Sequence, residues 1–251
     1  MKRVGIAILI LVVCQDVSAR VFNLGGVSLG TYLKASGGTS QMGADAFRNA
    51  GGVSALTFGD GAAFGFAGEF GVAFDSGPVL TRVGFELYRP QKLSQYEVTN
   101  DTGSAMYTVD SDVISFSPVL SFEFILEKTQ TSKSYILAGG GYSYLTLKNT
   151  FSFTAAGASQ LGHGDFVEDA KGNTIFGFAG VGYEMLMVDN VTFSMEAGYR
   201  YMEASKLTLK SATNSLVGSK SEGDALKNHD GGDRSLNLSQ PFISILFKFY
   251  I

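Results

Sequence analysis

An all-β fold, an eight-stranded antiparallel transmembrane β-barrel with long outer loops, follows from three features of this 251-residue sequence. Apolar residues recur with period two in eight stretches, the spacing that places alternate side chains on opposite faces of a strand. The connections between those stretches alternate short and long. Apolar residues make up 45 % of the chain, yet after the first 19 positions no apolar run approaches the roughly 20 residues a membrane helix needs.

The N-terminus is read first. Met1-Lys2-Arg3 is a basic start, Val4 to Val13 is apolar apart from Gly5, and Val17-Ser18-Ala19 offers small residues for cleavage. That order is a secretory signal peptide over 1–19, too short to remain as a membrane helix. The mature domain is expected over 20–251. Loss of Lys2, Arg3 and Asp16 with the leader moves the formal net charge from −4 to −5. With no basic excess and no basic stripe, a nucleic-acid partner is excluded. Cys14, the single cysteine, leaves with the leader. Disulfides, a thiol nucleophile and a Cys-ligated metal are excluded with it.

The first alternating stretch runs from about Gly25 to Lys34. The second, Ala62 to Phe74, is the cleanest: Phe64, Phe66, Phe70, Val72 and Phe74 share a face opposite Ala63, Gly65, Ala67, Glu69 and Gly71. Asp75-Ser76-Gly77-Pro78 is a tight turn. The third, Val79 to Arg89, sets Val79, Thr81, Val83, Phe85 and Leu87 against Arg82, Gly84, Glu86 and Tyr88. The fourth, Val113 to Leu126, sets Ile114, Phe116, Pro118, Leu120, Phe122 and Phe124 against Ser115, Ser117, Val119, Ser121 and Glu123. The fifth is Ser134 to Lys148, the sixth Thr174 to Met187, the seventh Val191 to Glu203, and the eighth the chain end Pro241 to Ile251. Short turns fall near 75–78, 127–132 and 188–190. The segments near 35–61, 90–112, 149–173 and 204–235 are long and polar. Short turns on one side and long loops on the other are the mark of an outer-membrane barrel, and termini on the short-turn side require an even strand number.

Charge placement agrees with that fold. A basic side chain facing lipid at the bilayer midplane costs about 2–4 kcal/mol. Glu69, Arg82, Glu86, Glu123, Glu184, Glu196, Arg200 and Lys248 all fall opposite the apolar row. A soluble sandwich or lipocalin also alternates, but exposes a charged face. Here the second face is Gly, Ala and Ser with a few charges, which suits the inside of a narrow barrel filled by side chains.

At this point the chain resembles the small outer-membrane β-barrel proteins of Gram-negative bacteria, of the OmpA-barrel, OmpX and OmpW type. Tyr135-Ile-Leu-Ala-Gly-Gly-Gly-Tyr-Ser-Tyr144 looks like their central strands, as do Phe178-Ala-Gly-Val-Gly-Tyr-Glu184 and Met195-Glu-Ala-Gly-Tyr-Arg-Tyr201. The likeness covers the mature chain, and its motifs identify a barrel rather than an activity. It implies a C-terminal signal for the barrel-assembly machinery, here Phe247, Phe249 and Ile251. The family usually ends on an aromatic residue, and this chain ends on Ile251.

Candidate chemistry is sparse. The eight inward charges are expected to pair in the lumen, as a structural plug or as an ion gate; the narrow interior favours the plug. Enzymes on this scaffold need a His, a Ser and a carboxylate at the outer rim. His163 and His229 both lie in long loops with no candidate Ser on a neighbouring strand end, so catalysis is not expected. Asp230-Gly-Gly-Asp233 lacks the ligand spacing of a calcium loop. Ala138-Gly-Gly-Gly-Tyr142 lacks the Lys-Ser/Thr ending of a phosphate loop and fits a close-packed wall. Alternation at Tyr96–Val98 and Met106–Val109 extends strands three and four beyond the membrane, where an edge can recruit a partner strand.

The reading is an outer-membrane protein of structural or surface-interaction role: envelope integrity, adhesion or recognition through its loops. Two alternatives stand beside it. One is a narrow channel for small or hydrophobic solutes, favoured by a lateral opening at Pro118. The other is a lipid-modifying enzyme, favoured by a His–Ser–carboxylate cluster at the rim. No cofactor or metal is expected. The expected partners are outer-membrane lipid and lipopolysaccharide, the assembly machinery and a surface ligand, with the chain itself a monomer.

Overall fold

The computed structural model describes residues 28–40, 56–58, 63–215, 217–228 and 231–251. The leader over 1–19, the start of the first stretch at Gly25, His229 and Asp230 lie outside the described residues. In chain order the strands are β1 Ser28–Ser40, β2 Leu56–Phe58, β3 Ala63–Asp75, β4 Val79–Pro90, β5 Leu93–Asn100, β6 Ala105–Lys128 and β7 Ser132–Phe153. A short helix α1, Ala155–Leu161, follows. Then come β8 Phe166–Val188, β9 Val191–Ala204, β10 Leu207–Leu209, β11 Thr213–Ser215, β12 Gly218–Lys220, β13 Leu236–Asn237 and β14 Gln240–Tyr250. No helix among the described residues is long and apolar enough to cross a membrane, which says nothing of crossing by strands.

Eight of these strands are hydrogen-bonded in a ring, each antiparallel to the next: β1, β3, β4, β6, β7, β8, β9 and β14, with β14 returning to β1. The return runs from Gly30↔Tyr250 to Gly38↔Phe242, so the chain's last strand has no free edge. The β3–β4 turn is tight because Asp75 Oδ1 accepts the Gly77 N–H at 2.9 Å. Gly77 there takes a φ of 94°, which only glycine adopts without cost. At the β6–β7 turn Thr129 Oγ1 accepts the Ser132 N–H at 3.0 Å.

Along the lower half of the ring the outward row is apolar. Phe64, Phe66, Phe70 and Phe74 of β3 are exposed, as are Phe85 and Leu87 of β4, Phe116 and Phe124 of β6, Val181 and Tyr183 of β8, and Ile243 and Ile245 of β14. The inward row of the same strands is buried and holds the charges. The Ala138–Tyr142 run sits in β7. A Cβ on Gly139 would stand 2.6 Å from Phe178 Cζ, and one on Gly141 2.8 Å from Phe176 Cε1. The glycines leave room for two inward phenylalanine rings, and no phosphate cradle is formed.

Sequence reading and structure part above this band. The segments near 149–173 and 204–235, expected as loops, carry ordered β-structure, and in 90–112 the strand extension expected at Tyr96–Val98 and Met106–Val109 is present and longer. β6, β7 and β8 run to 24, 22 and 23 residues, and β5 pairs with β6 and β2 beyond the end of β4. From Ala105 to Val113 the excess is roughly nine residues, about 30 Å along a strand. The polarity of the alternation inverts there. On β7, Ile136 and Tyr144 point out below, whereas Leu145, Leu147 and Phe151 are buried inside above; on β6, Val109 and Val113 are buried. The outward positions of the upper part carry Asp110, Asp112, Lys148 and Lys171. The upper half thus has a buried apolar core, joined by Leu207, Leu209, Leu226, Leu236 and Leu238 from the β9–β14 connection. A change of phase within one strand breaks a single period-two pattern into a mixed one, which is why the sequence placed strand ends at Val113 and Lys148.

Candidate functional site

The charged interior of the lower ring is built from inward positions of all eight ring strands. Arg82 of β4 is fully buried; its Nη1 lies 2.7 Å from Glu196 Oε1 of β9 and 3.4 Å from Glu123 Oε1 of β6, and its Nε donates to Ser121 Oγ at 3.0 Å. Lys248 Nζ of β14 lies 2.8 Å from Glu123 Oε1 and also pairs with Glu184 of β8. Two further cations complete the network. Lys34 of β1 bridges Glu69 at 3.2 Å and Glu196 at 3.4 Å. Lys133 of β7 bridges Glu184 at 3.2 Å and Glu123 at 3.4 Å. Four carboxylates (Glu69, Glu123, Glu184, Glu196) and four cations (Lys34, Arg82, Lys133, Lys248) therefore balance.

Hydroxyls donate to three of these carboxylates. Tyr32 donates to Glu69 at 2.6 Å, Tyr135 and Ser244 to Glu196 at 3.0 Å each, Thr192 to Glu184 at 2.6 Å and Tyr250 to Glu184 at 3.0 Å. Lys34 Nζ stands 5.3 Å from the Phe178 centroid and 5.7 Å from that of Phe242, and Arg82 Cζ 5.6 Å from Tyr32. Glu86 and Arg200 form a separate pair in hydrogen-bond contact. Arg200 lies between Tyr88, at 5.4 Å, and Phe176, at 5.0 Å. A closed set of neutralised charges under aromatic rings is what a low-dielectric interior requires of ions.

Of the eight charges singled out in the sequence, six belong to the larger network and two to the Glu86–Arg200 pair. Sequence reasoning missed Lys34 and Lys133. Both sit at the edge of an assigned stretch, where they read as boundary residues. Their parity was legible: Lys34 shares a face with Tyr32, and Lys133 with Tyr135. It also missed the buried pair Arg234–Glu168, at 2.7 Å in the upper half, because both fell in segments read as loop. The row Phe247, Phe249 and Ile251 points outward at the end of β14.

Around Pro118 the β6–β7 ladder pairs Phe116 with Tyr144 and resumes at Val119 with Gly141. Pro118 has no N–H to donate. The seam nonetheless stays closed. A Cβ on Gly141 would overlap the Pro118 carbonyl, and Ser115 and Ser143 hydrogen-bond across it at 2.6 Å.

At the outer tip, His163, Asp165 and Ser219 line one cleft. They do not form a catalytic relay: Ser219 Oγ donates to Asn214 Oδ1 at 2.9 Å, and Asp165 Oδ1 accepts the Phe153 N–H at 2.8 Å. A nucleophile–base contact is the geometric core of such catalysis. Asp233 is held by Lys227, whose ammonium donates to its carboxylate and keeps it below the usual range. Among the described residues no group of three His, Cys, Asp or Glu is placed to hold a metal ion.

No family model and no curated protein matches the chain. Solved structures do. A major outer membrane protein from Thermus thermophilus is 10 % identical, with a TM-score of 0.49 over 89 % of this chain and 99 % of that one. The outer membrane protein OprG from Pseudomonas aeruginosa is 14 % identical, with a TM-score of 0.44 over 90 % of this chain and 98 % of that one. Neisserial surface protein A is 13 % identical, with a TM-score of 0.40 over 87 % of this chain and 96 % of that one.

Proposed function

We propose that this chain is a Gram-negative outer-membrane protein, closed as a transmembrane barrel, that acts as a structural and surface-interaction protein and not as a pore. The observation that carries the reading is the inversion of polarity along β6, β7 and β8. In the lower half, phenylalanines face out and paired charges face in; in the upper half, Asp110, Asp112, Lys148 and Lys171 face out and Val109, Leu145, Leu147 and Phe151 face in, beside one buried pair, Arg234–Glu168. Only two solvents, hydrocarbon below and water above, reward both arrangements in one strand. A tilted membrane strand needs about 9–11 residues, the span of the outward row from Phe64 to Phe74. The outward Tyr142, Tyr144, Tyr199 and Tyr201 fall at the level of the inversion, where tyrosines sit at a membrane boundary.

Supporting the plug role, the interior charges balance and the upper interior is packed with apolar side chains. Export through cleavage of 1–19, recognition of Phe247, Phe249 and Ile251 by the assembly machinery, and contact with lipopolysaccharide belong to the same reading. The experiment is single-channel recording of the refolded chain in a planar bilayer, with heat-shifted gel mobility reporting folding. A folded, silent barrel is expected. Reproducible conductance steps would overturn the plug and make the same charges a gate.

A further inference from the structure

The tip cleft has a volume of about 290 Å³. It opens between the β7–β8 connection, which supplies Gly162 to Phe166, and the β11–β12 hairpin, which supplies Asn214, Gly218 and Ser219. That volume is at the small end of ligand clefts, which run about 300–1,000 Å³. Its lining departs from the usual apolar one, so a lipophilic ligand gains little there.

Three polar groups at its wall have capacity to spare. The His163 imidazole packs against the rings of Phe153, at 6.2 Å, and Phe166, at 6.4 Å, and makes no hydrogen bond among the described residues. Asp165 uses Oδ1 on the Phe153 N–H and leaves Oδ2 open. Asn214 uses Oδ1 on Ser219 and leaves its Nδ2 donors open. The wall therefore offers an anionic acceptor, an amide donor and an imidazole that does either. Gly162, Gly164 and Gly218 strip the wall of bulk: a Cβ at each would meet nothing within 4 Å. Among the described residues no lysine or arginine lines the cleft, and a carboxylate does, so an anionic ligand is disfavoured.

We propose that the tip cleft binds one neutral sugar unit, such as the end residue of a glycan on an opposing surface. Neighbouring sugar hydroxyls each donate and accept, which matches Asp165 and Asn214. The proposal rests on the surface-interaction reading and names its ligand class.

The test uses the full chain refolded in a detergent without a sugar headgroup, with ¹³C-labelled histidine. His163 and His229 are the two histidines, and His229→Gln assigns the signals. Galactose, mannose and N-acetylglucosamine are titrated beside sialic acid and glucose 6-phosphate. At least one neutral sugar should shift the His163 signal saturably. Gly164→Val, which fills the cleft, should abolish the shift. Asp165→Asn should weaken binding at least about tenfold, the loss of one hydrogen bond to a charged group. Both variants should keep the heat-shifted mobility of the parent. No saturable shift with any neutral sugar, an unchanged shift in Gly164→Val, or tighter binding of the anionic sugars would overturn the proposal. Gln160→Cys, on the exposed face of α1, is labelled in parallel on intact cells with a membrane-impermeant maleimide. If it labels while the sugars fail, the sugar proposal alone falls. If it does not label, the surface reading falls first.

Discussion

Replacing Arg82 and Arg200 one at a time by Met should separate a shared charge network from an isolated pair. Breaking a buried ion pair by removing one partner costs about 3–5 kcal/mol, because the other charge is left uncompensated. The two sites differ in what remains. Without Arg82, Glu196 keeps Lys34 at 3.4 Å and two hydroxyls, and Glu123 keeps Lys248 at 2.8 Å and Lys133 at 3.4 Å. Arg82→Met should therefore fall at the low end, about 3 kcal/mol. Without Arg200, Glu86 has no other ion partner among the described residues, so Arg200→Met should approach about 5 kcal/mol. Adding Glu86→Gln to Arg200→Met removes the stranded charge and should recover most of the loss. The assay is reversible urea unfolding in lipid vesicles, followed by far-ultraviolet circular dichroism; the chain has no tryptophan. Midpoints equal to the parent, a larger loss for Arg82→Met than for Arg200→Met, or no recovery in the double variant would refute the charge-compensation argument.

Other outcomes are expected from single positions. A Cβ on Gly182 would overlap the Tyr135 ring, so Gly182→Ala should destabilise the chain by about 1–3 kcal/mol of overpacking, read as a lower urea midpoint. That extra loss should vanish in a Tyr135→Leu background, and a purely additive double variant would count against the clash. Asn149 is buried between its cross-strand neighbours Ser111 and Glu168, with neither amide atom partnered. Asn149→Leu should therefore stabilise the chain by about 1–3 kcal/mol, and a loss instead would mean that the amide holds an ordered water. The Asp110 carboxylate accepts the Gln95 N–H at 2.7 Å and pairs with Lys92, and that hydrogen bond holds it below its ordinary 3.8. A depressed value means its stabilisation is fully present above the ordinary value and is lost as pH falls through the depressed one. Amide exchange at Gln95, corrected for intrinsic rates, should rise only in that acid window; a flat corrected profile would disprove the contact.

How far the sequence reached differs between the two halves of the molecule. Below the inversion, turn residues such as Gly77 and the row Phe64 to Phe74 marked both strand limits and facing. In the upper half the same alternation continued in opposite phase. Phe151 was read as part of a polar loop because the apolar face of its strand switches sides midway. The sequence also missed Lys34 and Lys133, which lie at the margins of their alternating stretches.

The sequence by itself determined the number of strands in the ring, where their lower halves lie and which residues there share a face. Those follow from a local rule, since successive side chains on a strand point to opposite sides. Only the tertiary structure decided which charges meet. Arg82 and Glu196 are 114 residues apart, and Lys248 and Glu123 125 apart. Their contact exists because the last strand returns to the first and sets opposite walls of a narrow ring face to face. The tip cleft has the same origin: Asp165 and Asn214 come from separate connections, joined only because β11 docks on β8 through the Thr213 hydroxyl and the Val167 carbonyl at 2.8 Å.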